Sequence, residues 1–175
     1  QKSLKVIDEI ELFRKSLRDK RFVDSEEQLY MVTLADTYFE IGDYKKANQT
    51  INHVFDLKLK YREDIYCFAH VKSILIHFEL NNFELLEYKI KTTLAFLRRQ
   101  KRLFKTEKLA LEFIRKHIKG KIIPKTEYQL LKSQLNEALT DPLEKNILNY
   151  FDFTTWVESK ILNKSFEEVK RDKLK

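Results

Sequence analysis

Glycine and proline are almost missing from this chain. Two of each occur in 175 residues, where average usage would place about a dozen glycines and about nine prolines. Sheets and loop-built sites need such residues at their turns. Their scarcity excludes a turn-rich architecture and favours long helices with short connections. The single cysteine, Cys67, excludes an internal disulfide and any multi-cysteine zinc site. No run of about 18 apolar residues is present, so no membrane-spanning helix is expected. Gly42 and Gly120 stand alone, and isolated glycines cannot build a phosphate cradle, in which several backbone N–H groups approach one anion. The first residue, Gln1, is read as the start of an excised fragment or a processed product.

What the chain does hold is apolar and charged in helical proportion. A 43% hydrophobic content suffices for one domain with a continuous core, and 35% charged residues suit helices that keep one face in water. The net charge of +7 is concentrated: between Arg98 and Lys121, ten basic residues stand against two acidic ones. The remainder of the chain is close to neutral.

An internal period organises the sequence. Gly42 sits where one apolar-periodic segment ends and the next begins. Glycine takes the left-handed conformation that closes a helix, and Asp43 can cap the following one through its side-chain oxygen. The same place recurs at Asn81, 39 residues on, and at Gly120, 39 residues further. Asparagine is the usual substitute for glycine in that conformation.

Between these corners the apolar spacing is helical. Met31, Leu34, Ala35, Tyr38 and Ile41 make one stripe; Tyr44, Ala47, Ile51 and Val54 make the facing one. Phe68, Val71, Ile74, Leu75 and Phe78 are matched by Phe83, Leu86, Ile90, Leu94 and Leu97. A third pair runs over about 104–119 and 126–139, with Thr126 and Gln129 as a capping box. Residues 4–19 predict an earlier helix. Asp141-Pro142 predicts the start of another, and two short helices follow near 153–162 and 166–172, the last behind a box formed by Ser165 and Glu168. The reading is one helical-repeat domain over 1–175: 1–22 the second helix of a preceding repeat, 25–60 repeat 1, 62–101 repeat 2, 104–140 a degenerate repeat 3, and 141–175 a C-terminal helical cap.

The run Tyr30-Met31-Val32-Thr33-Leu34-Ala35-Asp36-Thr37-Tyr38, followed by Ile41-Gly42-Asp43-Tyr44-Lys45-Lys46-Ala47, resembles a tetratricopeptide repeat. Leu34, Ala35, Tyr38, Gly42, Tyr44 and Ala47 stand at its signature positions. Met31 replaces the usual tryptophan, and the 39-residue period exceeds the standard 34. With Arg62-Glu63-Asp64-Ile65 and the stretch from Phe151 to Lys160, the chain looks like a set of uncharacterised bacterial tetratricopeptide-like proteins. The resemblance implies an all-α fold, a right-handed array of antiparallel helix hairpins (an α-α superhelix), and a general binding role without catalytic residues.

In such stacks the first helix of each hairpin lines a groove. The positions matching that role are Leu29, Val32, Asp36 and Phe39, then Phe68, Val71, Leu75 and Phe78. They imply a scaffold or adaptor that binds a protein or peptide segment, with apolar anchors at its centre. The alternative surface is basic: Arg98, Arg99, Lys101, Arg102, Lys105, Lys108, Arg115 and Lys119. Lys101, Lys105, Lys108, Glu112, Arg115 and Lys119 would form one stripe if a single helix covered them, suited to nucleic acid or another anionic surface. Phe104 and Phe113 fall on the apolar side, which weakens base stacking.

Histidines offer no catalytic pattern. His70 and His77 lie seven residues apart, about 10.5 Å along a helix, and occupy packing positions of the repeat. His53 and His117 belong to no metal spacing. The expectation is a binding module, not an enzyme, with no cofactor or metal and a cytoplasmic location.

Overall fold

Four junctions between helices turn on a left-handed residue, at Gly42, Asn81, Lys101 and Asn163. The computed structural model describes residues 7–9, 12, 24–57, 62–119 and 122–174. Within these the chain is helical, with no strand: α1 (Asp24–Glu40), α2 (Tyr44–Asp56), α3 (Glu63–Glu79), α4 (Phe83–Arg99), α5 (Lys105–His117), α6 (Lys125–Ala138), a 3-10 helix (Glu144–Asn149), α7 (Phe153–Leu162) and α8 (Phe166–Lys173). The helix expected over 4–19 falls largely outside the described residues, as do the corner at Gly120 and Lys121. Contacts group the chain into two compact units, Gln1–Ile76 and His77–Lys175. The division falls inside α3.

In the first unit, α1 and α2 pack together across the Gly42 corner. Gly42 has φ +82°, and a Cβ there would meet nothing within 4 Å. The demand for glycine is therefore conformational and not one of space. The Asp43 N–H donates to the Tyr38 carbonyl (2.9 Å) and the Gly42 N–H to that of Phe39 (3.0 Å), which satisfies the last carbonyls of α1. The Asp43 carboxylate then accepts from the Lys46 N–H at 3.1 Å. Met31, Leu34, Ala35 and Tyr38 are buried, as are Ala47, Ile51 and Val54, while Ile41 and Tyr44 are half-buried. The Gln28 amide ties α1 to the start of α3: its nitrogen donates to the Arg62 carbonyl (2.9 Å) and its oxygen accepts from the Arg62 N–H (3.2 Å).

Helix α3 is shielded on every side, with all residues from Ile65 to Phe78 buried except the half-buried His70. Burial on all sides is what an apolar helix inside a core shows, and here the helix buries Lys72, Ser73 and His77 as well. In the second unit it ends at Asn81, φ +58°, and the Asn82 N–H closes back on the His77 carbonyl at 2.9 Å. Helix α4 ends at a further left-handed residue, Lys101 (φ +54°), and α7 at Asn163 (φ +52°). Neither corner follows the 39-residue recurrence. Helix α5 packs on α4 and α6, α6 on α7, and α7 on α8. Leu86, Ile90, Leu97, Leu111, Ile114, Leu135 and Trp156 are buried here.

Two local expectations need correction. Helix α6 begins at Lys125 behind Pro124 (φ −60°, ψ 145°) with no side-chain cap, so Thr126 lies inside the first turn and the box with Gln129 does not form. The proline is already extended and needs no cap of its own to start the helix. Past Asp141-Pro142 the chain forms a 3-10 helix and not an α-helix; the Asp141 carboxylate accepts from the Leu143 N–H at 2.9 Å, fixing a tight turn. The box at Ser165 and Glu168 forms as read.

Candidate interaction surfaces

The eight groove positions differ sharply in access. Val32, Phe39, Phe68, Val71, Leu75 and Phe78 are buried, Asp36 is half-buried, and Leu29 is 49% exposed. Helix α3 also carries a residue that sequence reasoning passed over. The Lys72 side chain is 0% exposed, and its ammonium stands 2.6 Å from the Asp36 carboxylate. It lies over the rings of Phe39 (4.7 Å) and Phe68 (5.5 Å), a cation–π sandwich. Asp36, the one acid among the groove positions, thus holds an internal charge.

The histidines are structural in their contacts. His70 lies between Phe55 and Tyr66, with ring centroids 4.8 and 4.9 Å away. His77 is buried, with Nδ1 3.1 Å from the Asn82 side-chain nitrogen. Burial, and then the Lys89 charge, hold its pKa below the ordinary value. Nδ1–H of His117 donates to the Phe113 carbonyl at 2.8 Å, and His53 is exposed. Among the described residues no group of three or more histidines, cysteines or carboxylates is placed to hold a metal ion, and no helix is long and apolar enough to cross a membrane.

All eight residues of the basic surface are exposed. Arg98 and Arg99 end α4, Lys101 and Arg102 form the corner, and Lys105, Lys108 and Arg115 stand on the solvent side of α5, with Lys119 just beyond it. The corner at Lys101 breaks the helix, so no single helix carries the stripe from Lys101 to Lys119. The patch is a cluster at the α4–α5 junction continued along α5. Lys105 is paired with Glu137 and Lys108 with Glu112, each at 4.0 Å. Among the described residues no ion-pair partner is found for Arg98, Arg99, Lys101, Arg102, Arg115 or Lys119. Beside them, Lys116 is 2.8 Å from Glu127 and holds that carboxyl below its usual range.

Between α5 and α6 lies a groove of about 220 Å³ walled by Leu109, Phe113, Leu130 and Leu131, with Glu112, Lys116, Glu127 and Gln134 beside them. Leu130 is 55% exposed. This apolar slot next to the basic face was not legible in the sequence, because it depends on which turn of α6 meets α5.

The start of α5 holds two carboxylates. Glu144 accepts from the N–H groups of Lys105 (2.7 Å) and Thr106 (2.9 Å) and from the Thr106 hydroxyl (3.0 Å), a cap supplied from the 3-10 helix. Glu107 is 2% exposed and accepts from the Phe104 N–H at 3.0 Å. Burial pushes its carboxyl up to about 8; the Phe104 N–H opposes this and the Glu144 charge adds to it.

Set against known proteins, the chain matches no protein-family model, no curated protein and no solved structure.

Proposed function

We propose that this chain is a tetratricopeptide-like array of helical hairpins serving as an interaction module, and that it docks an acidic protein segment on the basic face of α4 and α5. The observation that carries this reading is the contrast in access: all eight basic positions are open to water, whereas six of the eight groove positions are buried. The hairpin of α1 and α2 and the left-handed corners at Gly42 and Asn81 support the repeat architecture. A cytoplasmic location belongs to the same proposal, since a single cysteine makes no internal disulfide that would call for an oxidising compartment.

Three features favour a protein segment over nucleic acid. The stripe on α5 is short, eleven residues from Lys105 to Arg115 or about 15 Å, and Glu112 interrupts it. Phe104 is half-buried and Phe113 buried, so neither ring presents a stacking face. The slot beside Leu130 accepts an apolar side chain, as a peptide with alternating acidic and leucine anchors would offer. The test is fluorescence anisotropy with a labelled Glu/Leu amphipathic peptide and, in parallel, a labelled 20-nucleotide single strand. Peptide binding lost in Lys105→Glu/Arg115→Glu and weakened about tenfold by Leu130→Asp supports the proposal. Oligonucleotide binding with a steep salt slope and indifference to Leu130→Asp would replace it with the nucleic-acid reading.

A further inference from the structure

The second unit contains a pocket of about 360 Å³, within the range of roughly 300–1,000 Å³ usual for small-molecule sites. It is separate from the basic face and goes beyond the docking role. Its apolar walls are Phe78, Phe83 and Tyr128, with Ile122 and Ile123 at its edge. Phe78 and Phe83 meet edge to face, centroids 6.2 Å apart. Such walls suit a flat, apolar group.

The polar groups are unusual in their balance. Glu79, its side chain only 7% exposed, accepts from the Trp156 indole N–H at 2.6 Å and from the Lys160 ammonium at 2.5 Å. One negative and one positive charge therefore cancel inside the wall. Donors remain in excess. An ammonium has three N–H groups, and Lys160 gives one to Glu79 while its side chain stays 28% exposed. No hydrogen-bond partner for the Tyr128 hydroxyl is found among the described residues. Burial, and then the nearby Glu79 charge, push the Tyr128 pKa up to about 12, so the hydroxyl keeps its proton.

Asn81 and His117 complete the lining, so the pocket offers the donors of Lys160 and Tyr128 beside a balanced ion pair. An anionic ligand would sit against Glu79, and a cationic one against Lys160. A neutral carbonyl oxygen meets the donors and neither penalty. We propose that this pocket binds a small planar molecule, or the planar part of a larger one, that carries a neutral carbonyl acceptor.

The chain has a single tryptophan, and Trp156 is 1% exposed, bonded to Glu79 and 6.1 Å from Phe78 by ring centroid. Its emission therefore responds to changes at Glu79 and Phe78, although Phe113 of the neighbouring groove also lies 6.5 Å away, which makes the Tyr128→Phe comparison the control. The experiment titrates the whole chain with benzamide, benzoate and benzylamine, three probes with one ring and three charges. Benzamide is expected to give a saturable change, with benzoate and benzylamine at least about tenfold weaker. Tyr128→Phe, which keeps the ring, should weaken benzamide by about tenfold without changing the unfolding temperature. Methyl NMR shifts at Ile122 and Ile123 give a second readout, usable if a variant folds poorly. Equal responses to the three probes, no saturation with benzamide in either readout, or an unchanged benzamide affinity in folded Tyr128→Phe would overturn the proposal.

Discussion

The Lys72 ammonium lies 2.6 Å from the Asp36 carboxylate while its own side chain is wholly shut off from water. The pair joins α3 to α1, and the Phe39 and Phe68 rings flank the cation. Removing one member of a buried pair strands the other, which costs about 3–5 kcal/mol, whereas replacing both members by apolar residues costs little. Asp36→Ala is therefore expected to be strongly destabilising in urea unfolding, and Lys72→Met less so, because the Asp36 side chain that it strands is 24% exposed. The double variant should recover most of the Asp36→Ala loss. A mild effect of Asp36→Ala, below about 1 kcal/mol, would mean that water reaches the ammonium.

Glu107 makes stability fall toward alkaline pH. Its folded pKa is about 8 against an ordinary 4.5, so the folded state binds more protons throughout that window. Stability from this group is complete below the unfolded value and is lost as pH rises through the folded one. His77 has the opposite sign, its pKa lowered from 6.5, and its contribution is complete above that value. Lys89, whose pKa burial lowers, also acts with the opposite sign, so Glu107 is isolated by comparing the wild type with Glu107→Gln over the interval from about pH 7 to about pH 9. The wild-type urea midpoint should drop across it, and Glu107→Gln, which retains an acceptor for the Phe104 N–H, should remove most of the drop. Parallel pH profiles for the two proteins would refute the assignment.

How much of this could be read in advance depended on whether the cause was local. Gly42 and Asn81 were legible as corners because few residue types tolerate positive φ. Lys101 takes the same conformation, yet lysine has no preference for it, and nothing in its identity marks the end of α4. The basic surface was legible residue by residue, since lysine and arginine are ordinarily solvated, but its course was not, because the Lys101 corner bends it. Lys72 was missed for a related reason: a lysine on an amphipathic helix is ordinarily solvated, and its burial rests on an aspartate 36 residues earlier. The access of the groove positions likewise rests on packing that no single helix encodes.

Asp152 anchors the last two helices. It accepts from the Thr155 N–H at 3.0 Å and from the hydroxyls of Thr154 and Thr155, with the Lys173 ammonium 3.6 Å away. Burial alone would raise its pKa, but those hydrogen bonds and the Lys173 charge hold it below the ordinary value. Its stabilisation is present above the unfolded pKa and fades as pH falls through the folded one. Asp152→Ala should cost about 1–2 kcal/mol at neutral pH, with a smaller loss in acid. A cost that does not shrink in acid would show that the carboxylate charge is not what caps α7.

Lys101 has two roles that one substitution can separate. As a non-glycine residue at φ +54° it carries the steric cost of a left-handed backbone, about 1–2 kcal/mol, part of which glycine would return as chain entropy in the unfolded state. Lys101→Gly should therefore raise stability by about 0.5–1 kcal/mol. The same change removes an exposed cation from the centre of the basic surface, between Arg99 and Arg102, so binding of the acidic peptide should weaken and its salt dependence should become shallower. A variant that is firmer yet binds less well would assign the two effects to backbone and side chain. If stability and affinity instead moved together, the corner would be shaping the surface rather than merely carrying one of its charges.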